Sequence, residues 1–203
     1  YHAFAGRLLA EHGLRIGVEP GSRLLAEAAS YQLAHRVVTR TRRDLSGLGV
    51  GVQTLVEGGG LDGELAEHCL EPEDLRDHDL AFVAEVDSLD KVSAGARDAR
   101  IAALQRIELS HLVDEYRAAR RALDVVDFSD QMRFGARLAE ECPEVGAALR
   151  DQFRVVLLDE YQDTSVAQRR LLTGLFGGGH PVTAVGDPLQ AIYGWRGASV
   201  ANI

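Results

Sequence analysis

Phe153 to Asp187 reads "FRVVLLDEYQDTSVAQRRLLTGLFGGGHPVTAVGD". Val155 to Leu158 run without polar alternation, the pattern of a parallel strand covered on both faces. "PVTAVGD" repeats that pattern more weakly. Between the two, Thr164 or Ser165 is placed to cap a helix whose Leu171, Leu172, Leu175 and Phe176 fall on one face. Strand, helix and strand with short links make a βαβ crossover, right-handed by strong precedent. Both strands end in acids, Asp159-Glu160 and Asp187, at one rim of one sheet. The carboxyl rim is where open α/β sheets bind ligands. The expected fold class is α/β.

The remainder is expected to be mostly helical. "YHAFAGRLLAEHG" carries Phe4, Leu8 and Leu9 at helical spacing, with Gly13 as a stop. Pro20-Gly21 is a turn, and Ser22 is a plausible N-cap for "RLLAEAASYQLAHRVV". Gly47, Gly49, Gly51 and Gly58–Gly60 make the next part rich in loops. Asp98 is placed to cap a long helix with Ile101, Leu104, Leu112 and Leu123 on its apolar stripe. "FSDQMRFGARLAEEC" is a further amphipathic helix, broken by Pro143.

Composition is that of an ordinary globular chain: 203 residues, 46% hydrophobic and 26% charged. No apolar run reaches membrane-spanning length and the first residues lack a signal-peptide pattern. Cys69 and Cys142 lie far apart with no CxxC-type spacing, which reads as reduced thiols in a cytoplasmic protein. The net charge of -9 argues against indiscriminate binding to nucleic acid. Residues 61–100 hold twelve acids against four bases and read as a solvated acidic face. The one lysine is Lys91, and neither Gly58–Gly60 nor Gly177–Gly179 is followed by the lysine of a phosphate-binding P-loop, G-x-x-x-x-G-K-[ST]. The chain carries no P-loop.

A carboxylate pair such as Asp159-Glu160 at a strand end can hold Mg²⁺ and polarise a water for attack on a phosphate. By itself the pair is a weak motif, since many strands end in solvated acids. The second strand is followed by "GDPLQAIYGWRGAS", in which Gln190 is able to bond both a phosphate oxygen and an attacking water. Tyr193 and Trp195 beside Arg196 present aromatic faces next to a guanidinium, a surface suited to stacked bases of a single strand.

"LLDEYQDT" followed by "AVGDPLQAIYGWRGAS" strongly resembles motifs II and III of superfamily 1 DNA helicases of the UvrD/Rep/PcrA type. "YHAFAGRLL" is similar to that family's T-[FY]-H-x-[FL]-A segment, and "DVVDFSDQM" to its DFDDL segment before motif II. The resemblance implies that Asp159 coordinates Mg²⁺ and that Glu160 is the catalytic base. It implies that Gln190 senses the γ-phosphate of ATP, that Tyr193 and Trp195 stack on single-stranded bases, and that Arg196 is a basic partner there. His2 matches a DNA-backbone contact, and Asp163 is given no distinct step.

The expectation is a partial RecA-like parallel sheet with a mostly α-helical inserted subdomain. Residues 1–13 would be a DNA-contact part of the first motor lobe, 14–124 the inserted subdomain, and 125–203 the lobe with motifs II and III. With no P-loop, no adenine-binding glutamine segment and no second-lobe arginine motifs, the resemblance implies a fragment of an ATP-dependent helicase. Such a helicase would move 3′ to 5′ on single-stranded DNA and act at single-strand/duplex junctions in repair or replication. The fragment alone is expected to be inactive. Two other readings stay open: the motor of a helicase–nuclease that processes DNA ends, and a degenerate module that only binds DNA or protein.

Overall fold

The computed structural model describes residues 1–45, 48 and 60–192. Among the described residues the regular elements run in the order α1 (His2–His12), β1 (Arg23–Leu24), α2 (Glu27–Arg40), α3 (Leu61–Glu67), α4 (Pro72–Asp87), α5 (Ala94–Ala122), β2 (Val125–Val126), α6 (Phe128–Glu141), α7 (Pro143–Gln152), β3 (Val156–Leu158), α8 (Val166–Phe176) and β4 (Val182–Ala184). The chain divides into two compact units. The first holds Tyr1–Leu25, Ala66–Cys69 and the chain from Asp124 onward; the second holds Ala26–Leu65 and Leu70–Leu123. The fold is mostly helical with two small parallel sheets, in keeping with a partial RecA-like α/β domain.

In the first unit, local signals set the helix starts. Asp127 and Asp130 exchange bonds as a capping box at α6, and Ser165 and Gln168 do the same at α8. Pro143 stops α6 and opens α7, where its missing N–H costs nothing. These helices pack around a core that includes Leu8, Met132, Leu138, Val145, Leu171 and Leu175. A Cβ at Gly174 would lie 2.8 Å from that of Ala139, so α6 and α8 approach closer than any side chain at 174 permits.

The crossover forms as the pattern predicts: β3 and β4 are parallel neighbours joined through α8, with Leu158 opposite Ala184. Coverage of β3 on both faces does not hold among the described residues. Val156 and Leu158 pack on the core, whereas Leu157 on the alternate face is 77% exposed. The pleat sends successive side chains to opposite faces, and the described helices cover one of them.

Two helix starts also differ from expectation. Ser22 caps no helix: Arg23–Leu24 instead pairs in parallel with Val125–Val126, and α2 begins at Glu27 behind Ala26. Strand pairing with a partner a hundred residues on outweighs the local cap. The long helix starts at Ala94, not after Asp98, because Ser93 Oγ accepts the amide of Ala96 at 3.2 Å.

In the second unit α5 packs along α4. Its buried side carries Ala103, Ile107, Leu109, Leu112, Val113 and Tyr116, while Ile101, Leu104 and Leu123 of the expected stripe stay exposed. The acids of 61–100 are not all solvated. Asp79 is buried and takes both arms of Arg106 at 2.8 and 2.6 Å. Asp62, also buried, accepts from Arg117 and from Arg120, each at 2.6 Å. No described helix is long and apolar enough to cross a membrane.

Candidate active site

The acid-bearing turns at the ends of β3 and β4 are stitched together by the backbone. Beyond the last strand pair, the Val185 amide donates to the Leu158 carbonyl at 2.8 Å, and the Tyr161 amide to the Val185 carbonyl at 2.9 Å. The first turn then folds sharply. Glu160 takes a left-handed conformation, φ 51° and ψ 42°, which costs an L-residue about 1 kcal/mol or more. Its amide donates to Asp159 Oδ1 at 3.0 Å. A 3₁₀ turn over Tyr161–Asp163 follows, and Ser165 opens α8. Strand end, reversal and helix cap thus hold both acids outward: Asp159 and Glu160 are exposed.

Side chains complete the connection. Gln162 Nε2 donates to Glu160 Oε2 at 2.6 Å, and Gln162 Oε1 accepts the Asp187 amide at 3.1 Å. Asp187 in turn caps the next 3₁₀ turn, Pro188–Gln190, through the Leu189 amide at 3.0 Å. Its Oδ2 accepts from Gln190 Nε2 at 2.8 Å. A single run of hydrogen bonds therefore leads from Glu160 through Gln162 and Asp187 to Gln190. The amide of Gln190, and next the backbone amide of Leu189, hold the Asp187 carboxyl below the usual carboxylate range. Burial pushes the Tyr161 hydroxyl in the other direction, above its ordinary value.

Asp159, Glu160 and Gln190 thus share one rim. His2 opens α1, its ring edge-on to Phe128 at 5.8 Å between centroids. Tyr193, Trp195 and Arg196 lie outside the described residues. Asp163 puts Oδ1 in a buried position with no hydrogen-bond partner among the described residues. Sequence reading gives Gln162 no role. It stands two residues after Glu160, but what it joins depends on Asp187, far along the chain. Asp187, noted only as a rim acid, is the link to Gln190.

Hard carboxylate oxygens are what Mg²⁺ takes, and one oxygen of Asp159 has no hydrogen-bond partner among the described residues. No group of three His, Cys, Asp or Glu among the described residues could hold a metal unaided. Phosphate oxygens and water would have to complete the shell, as is usual for this ion.

A family model described as the UvrD/REP helicase N-terminal domain matches residues 1–203. The chain is 38% identical over 103 residues to a DNA helicase II of Rickettsia typhi, covering 49% of this chain and 15% of that protein. It is 28% identical to the ATP-dependent DNA helicase PcrA of Leuconostoc citreum, over 100% of this chain and 24% of the relative. A subunit of an ATP-dependent helicase/nuclease from Streptococcus thermophilus is 42% identical over 85 residues, 42% of this chain and 7% of that protein. The chain thus spans a quarter or less of these relatives. With the model matching end to end, and with the motif-bearing turns joined at one rim, this chain belongs to the UvrD/REP helicase N-terminal domain family of superfamily 1 helicases.

Proposed function

We propose that this chain supplies the water-activating side of the ATPase site in a DNA helicase that moves 3′ to 5′ along single-stranded DNA. The observation that carries the reading is the hydrogen-bonded run from Glu160 to Gln190 at the carboxyl rim of a parallel sheet. Residues 1–13 and 125–203 are assigned to the first motor lobe and 14–124 to its inserted helical subdomain, of which 14–25, 66–69 and 124 pack in the first compact unit.

ATP with Mg²⁺ would supply the reactive phosphoanhydride and the charge that offsets the clustered acids. Asp159 would hold the ion. Glu160, exposed and tethered at one oxygen, is placed to take the proton of the attacking water. Gln190 has a neutral amide that can leave Asp187 for a γ-phosphate oxygen, which would let nucleotide state alter the turn leading to Tyr193, Trp195 and Arg196. Those three and His2 are assigned to single-stranded DNA.

A second reading, the motor of a helicase–nuclease, is favoured by the likeness to the Streptococcus thermophilus helicase/nuclease. Unwinding assays on the longer protein carrying this chain separate the two. A duplex with a 3′ single-stranded tail is expected to open with ATP, and a 5′-tailed duplex is not. ATP-dependent degradation of blunt ends would favour the second reading, and absence of unwinding on every substrate would overturn both. The 203-residue chain alone is expected to release no phosphate from ATP, since it has no P-loop to cradle the phosphates. Release that Glu160→Gln abolishes would contradict this.

A further inference from the structure

Gln162 is 1% exposed, and both ends of its amide are committed to the two turns of the rim. The chemistry of its partners fixes the amide's orientation. A carboxylate only accepts, so Nε2 must face Glu160, and a backbone N–H only donates, so Oε1 must face Asp187. Gly186 makes the second bond possible: a Cβ there would fall 2.6 Å from Gln162 Oε1 and 3.0 Å from its backbone nitrogen. Among the described residues, Gln162 is also the one group that hydrogen-bonds the Glu160 carboxylate. Without it, an exposed glutamate on a left-handed turn has its side-chain rotamers free.

We propose that Gln162 is a positioning residue: its buried amide, admitted by Gly186, holds the Glu160 carboxylate in register with the Asp187–Gln190 turn. The inference rests on the reading of Glu160 as the base and deepens it. Gln162 does not touch the nucleotide. It acts by holding Glu160 where an attacking water can be met, and by making that position follow the turn that carries Gln190.

Gln162→Met keeps length and removes both bonds. Two measurements test it. In the 203-residue chain without nucleotide, amide hydrogen exchange at Asp187 is expected to quicken about tenfold or more, while Leu171 and Leu175 in α8 keep their protection. Unchanged protection at Asp187 overturns the proposal. In the longer protein, Gln162→Met is expected to lower kcat for ATP hydrolysis by about ten- to a hundredfold, with KM for ATP nearly unchanged. In a Glu160→Gln background the same change should cost nothing further, because Gln162 acts through that carboxylate. An equal loss in both backgrounds means a merely structural role and overturns the proposal. Should Gln162→Met unfold α8, Gly186→Ala gives the decision, since its new methyl displaces the same amide and is expected to reproduce both effects. Should Glu160→Gln leave hydrolysis intact, the assignment of the base has failed instead, and the Asp187 exchange still decides whether Gln162 ties the turns.

Discussion

The Val185 amide donates to the Leu158 carbonyl at 2.8 Å, which carries the pairing of β3 and β4 past the last strand residues and into the turns that bear the acids. Because the strands are parallel, their carboxyl ends lie at the same rim. The backbone thus sets Asp159 and Glu160 next to Asp187 before any side chain takes part. Side-chain bonds then refine a proximity that the sheet has already created.

Asp187 gives a direct reading of that network. Its carboxyl is held below the usual range by bonds that favour the ionised form. The depressed value means that this contribution is full above the ordinary aspartate pKa and is lost as pH falls through the lowered one. Gln190→Ala is expected to move the Asp187 titration back up toward the ordinary range, read from its carboxyl carbon by NMR. An Asp187 that titrates identically in both proteins would show that the Gln190 bond does not persist in solution.

The helical unit makes a different kind of prediction. Arg117 and Arg120 are 4% and 2% exposed and share Asp62, itself 3% exposed. Breaking a buried ion group by removing one member typically costs about 3–5 kcal/mol, and the lower end applies here because Arg117 keeps Glu71 at 2.7 Å. Asp62→Ala is expected to destabilise Ala26–Leu65 with Leu70–Leu123 by about that much in denaturant unfolding, with protection lost along α5. A change under about 1 kcal/mol would mean that the arginines find other partners.

Much of the fold could be read from local pattern. The helices α6 and α8, the stop at Pro143 and the βαβ crossover follow from spacing and caps within a few residues. The elements that escaped are those decided at long range. Arg23–Leu24 is a strand only because Val125–Val126 lies beside it. The buried side of α5 is chosen by what packs on it, since apolar residues such as Ile101 and Leu104 occur off that side as well. The same holds at the rim. Asp159, Glu160 and Gln190 are singled out by residue type and motif, whereas the bonds of Gln162 exist only once Gly186 and Asp187 are folded against it.

Trp195 and Arg196 are expected to differ in how they hold DNA. Stacking on a base is worth about 1–3 kcal/mol and is insensitive to salt, whereas a phosphate contact weakens as salt rises. In the longer protein, Trp195→Ala should reduce single-strand affinity at all salt concentrations while ATPase without DNA stays near normal. Arg196→Ala should show its loss mainly at low salt. A Trp195→Ala protein that melts much earlier yet binds DNA normally per folded molecule would make Trp195 a core residue.

The most direct measurement of the central claim compares nucleotide binding with hydrolysis in the longer protein carrying Glu160→Gln. The substitution keeps the size of the side chain and removes the base, leaving Asp159 to hold the ion. Hydrolysis is expected to fall by about 10²–10⁴ while the affinity for ATP with Mg²⁺ stays within a few-fold of the unsubstituted protein. Hydrolysis that continues at the original rate would remove Glu160 from the chemistry and contradict the assignment of this rim as the water-activating side of the ATPase site.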